Sequence, residues 1–409
     1  MRSSLSNYAR RISEYLFNNL LRSSPMKLLM ISGDRSILKR QQGAFWYTLQ
    51  ELRKHWDRID VICPFVPAVS SGSASGNHAP NPAPSPGGQV YFHPSPYGLF
   101  LQPLWILRKG TALIREHHHD VMTVHEYPPF YNGIGALLLA RRTSIPYALE
   151  VHHIVGFPQA ANMWERIARM FSRFYLPWSV GAARAVRVVN ATVKAILEGW
   201  GVPASRIAVV PSFYLDSTLL KSVPRPPIAY DVSFCGRLVP NKGLRTVIQA
   251  LKAIPDGRLL VVGDGPERGP CEALARALKM ENRVTFLGWL PTIEAAMGAI
   301  MTARMFVMNS LSEGGPRVVL EAMGCGMPVI ATRVGVVPEV IQNGINGLFT
   351  SGDAPDLEAK IRLLLSDDAM RDRLGNAARA VLDRFDRTKL IADYAAFLQG
   401  LSVAPPSAS

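Results

Sequence analysis

The feature that most constrains this chain is a succession of short Val/Ile/Leu-rich runs, each followed by a stretch of helical period. "KLLMIS" (27–32), "DVICP" (60–64), "DVMTVH" (120–125), "PYALEVHH" (146–153), "AVRVVN" (185–190) and "IAVVPS" (207–212) form a first series. "VSFCGR", "GRLLVVGDG", "RVTFLGWL", "MFVMNS" and "PVIATR" form a second. Runs that are apolar throughout belong to strands buried on both faces, and the helices between them make parallel βαβ units. The chain is therefore expected to be α/β, with two doubly wound domains in series. Ligands of such folds bind at the carboxyl edges of the strands, here facing each other across a cleft.

A length of 409 residues suits roughly two to three domains. The expected division is a basic amphipathic leader (1–25), a first domain (26–215), a linker (216–230), a second domain (231–385), and a C-terminal helix with a disordered tail (386–409). The Pro/Ser/Gly/Ala-rich stretch 66–89 cannot build a core and is expected to be a flexible insertion in the first domain. Three prolines mark the linker. The leader's apolar part is short, Asn18 and Asn19 interrupt it, and no small-residue cleavage site follows, which argues against a secretory signal. No apolar stretch reaches the roughly 18 residues of a membrane span. Cys63, Cys235, Cys271 and Cys325 lie far apart without CxxC spacing. That pattern excludes a zinc knuckle or disulfide framework and suits a reducing cytosol. A net charge of +14 calls for an anionic partner: nucleic acid, an acidic membrane surface or a phosphate-bearing substrate.

Chemistry concentrates in the second series. "FCGRLVPNKG" (234–243) sets Gly236, Arg237 and Lys242 directly after a strand. Arg and Lys there can hold a phosphate, or can simply form a solvated basic loop. "VVGDGPER" (261–268) places Gly263 and Gly265 after another strand, but without GxGxxG spacing; it reads as a tight turn beside a ligand or as plain structure. "SEGGPRVVLEAMGCGMPVIAT" (312–332) puts Glu313 just before a helix expected to start near Pro316. Such a helix would aim free N–H groups over Gly314 and Gly315, whose missing side chains would admit a phosphate. Glu321, read as two turns into the helix, would reach the far side. Two carboxylates flanking a phosphate site match a nucleotide diphosphate sugar, with hydroxyls at both ends.

These residues resemble the Glu-x7-Glu motif of the family 4 retaining glycosyltransferases, which have the GT-B fold of two Rossmann-like domains. "GRLVPNKG", "VGDGPER", "VTFLGWL", the 312–332 block and "GVVPEVIQNGINGLF" match family blocks in order. The resemblance implies a hexosyltransferase that moves a sugar from a UDP- or GDP-sugar to a glycan or lipid-linked acceptor, in cell-surface polysaccharide or glycolipid synthesis. It implies that Arg237 and Lys242 hold the donor diphosphate, that Glu321 binds the ribose and that Glu313 binds the transferred sugar. Gly236, Gly263, Gly265, Gly314, Gly315 and Pro316 would lie against the donor, and Leu287 and Gly288 against its base. His152 of "LEVHH" matches the family histidine beside the anomeric centre, and His125 an earlier one expected to be structural. Glu150 and His153 are neighbours without clear roles. Two departures stand out: only Gly33 and Gly43 in place of a Gly-Gly loop after the first strand, and "PSFYLD" (211–216), with Ser212 and Asp216, in place of "PNGVD".

No Asp-x-Asp motif occurs, so no metal and no cofactor beyond the donor substrate is expected, and "HHHD" (117–120) is not expected to hold an ion. "MWERIARMFSRFYLPWSVGAARAVR" (163–187) spaces Trp164, Ile167, Phe171, Phe174 and Trp178 along one helical face, with Arg166, Arg169 and Arg173 around it. It can lie on an anionic bilayer or pack on the first sheet, the latter slightly favoured. The expected location is cytoplasmic, and a bilayer contact would place the protein peripherally on the inner face of the cell membrane. A nucleotide-sugar epimerase and a non-catalytic nucleotide-sugar binder remain as alternatives. Nucleic-acid binding is not expected, for want of a recognition motif.

Overall fold

The computed structural model describes residues 25–35, 38, 44–65 and 88–402. The leader up to residue 24, the insertion 66–87, Gly43 and the tail from 403 lie outside the described residues. Two wholly parallel sheets account for both apolar series. The first contains β1 (Lys27–Ile31), β2 (Arg58–Cys63), β3 (Gln89–Pro94), β4 (Val121–Glu126), β5 (Tyr147–Val151), β6 (Ala185–Val188) and β7 (Ile207–Val209), in the order β3-β2-β1-β4-β5-β6-β7. The second contains β8 (Tyr230–Cys235), β9 (Leu259–Val262), β10 (Val284–Gly288), β11 (Ala303–Met308), β12 (Val329–Thr332) and β13 (Leu348–Thr350), in the order β10-β9-β8-β11-β12-β13. Each sheet reverses direction at its centre, between β1 and β4 and between β8 and β11, and such switch points are where α/β sheets bind ligands. The GT-B arrangement of two Rossmann-like domains is thus present.

Several details differ from the sequence reading. Gly88 and Gln89 are not part of a loose insertion: Gly88 N donates to Arg53 O, and Gln89 opens β3. The linker carries a helix, Ser217–Ser222, capped by Asp216 and packed by Leu220 near Gly324.

The C-terminal helix Arg387–Ser402 returns to the first domain. Segments 215 and 385–387 run side by side where the chain crosses between domains. The returning helix then buries Ile391, Tyr394, Ala395 and Leu398 with Leu28, Met30, Leu49 and Ala148 of the first domain. The opposite face of that sheet carries the helices Gln102–His117, Tyr131–Thr143 and Met163–Ala182. The returning helix shares this face with the helix Ala44–Leu52, whose Phe45, Leu49 and Leu52 join the same cluster. Leu398 is fully buried, so Leu398→Ala is expected to cost about 2–5 kcal/mol by cavity formation. Urea unfolding followed by circular dichroism measures it.

Candidate active site

The second domain's half of the site grows from the β8 and β11 loops. Gly236 (φ 153°) turns the chain out of β8, and Arg237 follows, exposed and in no ion pair among the described residues. Lys242 is ion-paired to Glu313. The two loops are also tied through their backbones: Leu311 N donates to Asn241 O at 2.7 Å, and a Cβ on Gly243 would strike Asn309 O. Gly263 and Gly265 serve the same packing. With φ of 128° and 154°, they lie where side chains would collide with the carbonyls of Gly236 and Leu238. Leu287 and Gly288 end β10 at the outer rim, with Leu287 half exposed.

The helix Arg317–Gly324 starts one residue later than expected, with Pro316 as its cap. Counted from Arg317 or from Pro316, Glu321 lies little more than one turn in, about 6–8 Å along the axis, and not two. Its carboxylate is buried and lies 2.8 Å from Arg317 Nε. Burial pushes its pKa up, against the pull of Arg317 and Arg387.

The first domain's half centres on a row across three strands. His125 on β4, Glu150 on β5 and Arg187 on β6 are register partners. Glu150 is wholly buried. Its Oε2 meets Arg187 Nη1 at 2.8 Å, His152 Nε2 at 2.9 Å and His125 Nε2 at 3.3 Å. Its Oε1 accepts from the hydroxyls of Thr123 and Tyr394. Burial opposes the charge on Glu150, yet Arg187, His125 and His152 outweigh it and hold the pKa well below the usual range. Arg187 is equally satisfied, donating to Val210 O, Pro211 O and Tyr214 Oη, with the Tyr394 ring stacked 3.7 Å from its guanidinium carbon. His152 opens to the cleft, but enclosure by the cleft walls pushes its pKa to about 4, so it is neutral at neutral pH.

His125, Glu150 and His152 are a group of ligand-type residues among the described ones, with ligand atoms within 4.8 Å of one another. The Arg187 guanidinium on the same carboxylate oxygen places a fixed positive charge against any cation there. The 117–120 histidines diverge. His117 ends a helix, His118 is its left-handed cap, and His119 is buried against Asp60 at 2.8 Å.

The two halves meet at the glycine pair. A Cβ on Gly314 would strike His152 O, and one on Gly315 would strike the Phe213 ring. Asn190 Nδ2 donates to Gly314 O, Ala191 N to Glu339 Oε1, and Gln159 N to Leu311 O. What lies over Gly314 and Gly315 in this structure is therefore the first domain. A cavity of about 390 Å³ opens beside this contact, lined by Asp34, Phe45, His152, Phe213, Gly315 and Arg317 among others. A second, of about 300 Å³, shares Asp34, His125, His152 and His153 with it, and adds Glu126 and Tyr127. Burial pushes Glu126 up to about 8.

The structure thus brings His152, Gly314 and Gly315 together around one cavity, while Arg237, Lys242 and Glu321 lie outside its lining. Sequence reasoning missed Arg187, Tyr394, Asn190 and Phe213. Arg187 had a signal, since it is the one charge inside the strand "AVRVVN". Tyr394 had none, because its contacts lie 244 residues away. Asp216, retained from the family pattern, caps a helix and pairs with Arg387.

Comparison with known proteins agrees with this architecture. Residues 220–381 match the family model "Glycosyl transferases group 1", and residues 43–214 match "Glycosyltransferase Family 4". The chain belongs to the GT-B glycosyltransferases. It is 29% identical to the sulfoquinovosyl transferase SQD2 of Arabidopsis thaliana, over 72% of this chain and 58% of that protein. It is 36% identical to the lipopolysaccharide core biosynthesis glycosyltransferase LpsD of Rhizobium meliloti, over 41% and 48% respectively. The chain therefore spans about half the length of these relatives. Sucrose-phosphate synthase from Thermosynechococcus elongatus shares the fold with a TM-score of 0.75 at 20% identity, over 92% of this chain and 99% of that chain.

Removing one member of a buried ion pair leaves the other charge stranded. Arg187→Met is expected to destabilise the protein by about 3–5 kcal/mol, with most of that loss recovered in Arg187→Met/Glu150→Gln. Because Glu150 is depressed below its ordinary 4.5, its contribution is complete above that pH and is lost as pH falls toward the lowered folded value. Urea midpoints of both variants against pH measure this, and the acid-side slope is expected to shrink in the double variant.

Proposed function

We propose that the protein transfers a hexose-type sugar, with retention of configuration, from a UDP- or GDP-sugar to a glycan or lipid-linked acceptor in cell-surface polysaccharide or glycolipid synthesis. The observation that supports this reading is the Lys242–Glu313 pair between the loops that follow β8 and β11, at the switch point of the second sheet, directly beside Gly314, which packs on His152 of the first domain. Glu321 accepts hydrogen bonds from the ribose hydroxyls, in competition with Arg317. The donor diphosphate draws Lys242 away from Glu313, freeing that carboxylate for hydroxyls of the transferred sugar. The donor-side glycines Gly236, Gly263, Gly265 and Gly288 shape these loops. Leu287 offers an apolar surface to the base.

Charge that develops on the leaving diphosphate is met by Arg237 and Lys242, which supply a fixed positive field without a metal ion. A leaving phosphate oxygen takes the acceptor hydroxyl's proton as that hydroxyl attacks the anomeric carbon from the same face. Neutral His152 contributes hydrogen bonding near the anomeric centre. The acceptor enters from the first domain, along the cavity bordered by Asp34, Glu126 and Tyr127. A lipid-linked acceptor would place the protein peripherally on the cytoplasmic face of the cell membrane.

Glu321→Ala is expected to weaken donor binding about tenfold or more through lost hydrogen bonds to a charged group. Arg237→Ala is expected to lower turnover by about 10²–10³. Isothermal titration with UDP- and GDP-sugars and a product assay, each with and without EDTA, measure both effects. Undiminished binding and transfer in both variants, or loss of activity in EDTA restored by a divalent ion, would sink this reading.

A further inference from the structure

The helix Met163–Ala182 is turned the wrong way for a helix that only packs on a sheet. Its buried residues are small or aliphatic: Ala168, Ser172, Leu176, Ser179 and Val180. Its large apolar side chains face water, with Trp164 at 75% exposure, Phe174 at 72%, Phe171 at 60% and Trp178 at 58%. The helix does pack on the first sheet with its arginine edge in solvent, the slightly favoured sequence reading, but it does so through this small face and leaves the aromatic face in water. A second exposed group sits where Leu99–Leu101 leads into the helix Gln102–His117. There Phe100 is 85% exposed, with Leu101 and Leu104 beside it.

Rings connect the two groups. Phe100 lies 5.7 Å from Tyr131, the adjacent Phe130 stacks on Tyr175 at 4.1 Å, and Tyr175 lies 5.8 Å from Trp178. The three helices involved cover the same face of the first sheet, the one opposite the returning C-terminal helix. Their N-termini lie at the carboxyl edge of that sheet, beside the cleft. From Trp164 to Trp178 the strip is about 21 Å long, a length suited to a plane and not to a pocket.

Charge selects the partner. Arg166 and Arg173 stand exposed among the aromatic residues. The acid on this helix, Glu165, is turned to accept from Ala161 N. A second copy of this chain would bring arginines against arginines, whereas an acidic bilayer complements them. We propose that the surface formed by Phe100, Leu104, Phe171, Phe174, Trp178 and the flanking Arg166 and Arg173 docks on an anionic phospholipid bilayer. The aromatic rings enter the headgroup boundary, the arginines meet lipid phosphates, and the cleft mouth is held at the membrane. This deepens the lipid-linked acceptor reading and rests on it for its purpose, though the docking itself needs neither donor nor acceptor.

The test is flotation of the full chain with phosphatidylcholine vesicles, with and without phosphatidylglycerol. The wild type is expected to float with the anionic vesicles and to be released by salt. Phe100→Ser/Phe174→Ser/Trp178→Ser is expected to lower the bound fraction more than about tenfold, and Arg166→Gln/Arg173→Gln about tenfold. In both variants, donor binding and transfer to a water-soluble acceptor should be unchanged. Three results would overturn the proposal: no flotation of the wild type, undiminished flotation of the aromatic variant (which moves the contact elsewhere, such as residues 1–24), or a solution dimer that the aromatic variant dissolves. A chain that floats as expected yet transfers no sugar would instead overturn the reaction assigned above.

Discussion

The ion pair between Glu150 and Arg187 is the constraint on which the rest of the site depends. Two charges sit opposite each other on neighbouring strands, at an edge where burial is nearly complete. Such a pair is tolerable only when every remaining donor and acceptor is engaged. Here Thr123, His125, His152 and Tyr394 complete the carboxylate, while Val210, Pro211 and Tyr214 complete the guanidinium. His152 is thereby fixed by a group from its own strand. Tyr394, from the last helix of the chain, closes the network. The C-terminal helix is thus both part of the layer that covers one face of the first sheet and a wall of the cleft.

The second constraint is close backbone approach. Gly314 and Gly315 let the second domain's loop come within contact of His152 and Phe213, and Asn190 fastens it there. Glu313 and Glu321 are meanwhile engaged by cations of their own domain, Lys242 and Arg317, while Arg237 stays exposed and in no ion pair among the described residues.

Much of the architecture was legible from the chain. Both series of apolar runs became parallel sheets, because strands covered on both faces carry a signal that needs no partner information. The motif at 312–332 was found for the same reason: its glutamates, glycines and helix start are local. What escaped were long-range facts. The path of the last helix back to the first sheet depends on which face stands uncovered, which no local pattern states. The outward turn of the Met163–Ala182 helix escaped because its period shows a face but not a direction. The glycines at 263 and 265 read from the chain as a turn beside a ligand or as plain structure, and the structure shows what the local pattern does not state, that they make room for the carbonyls of Gly236 and Leu238.

The central claim is same-face sugar transfer across this cleft, driven by side-chain cations. It is tested most directly by following the anomeric proton of the first-formed product by NMR, with an α-linked nucleotide sugar as donor. The account predicts an α-anomeric product from the earliest time points. A β-anomeric product would contradict it.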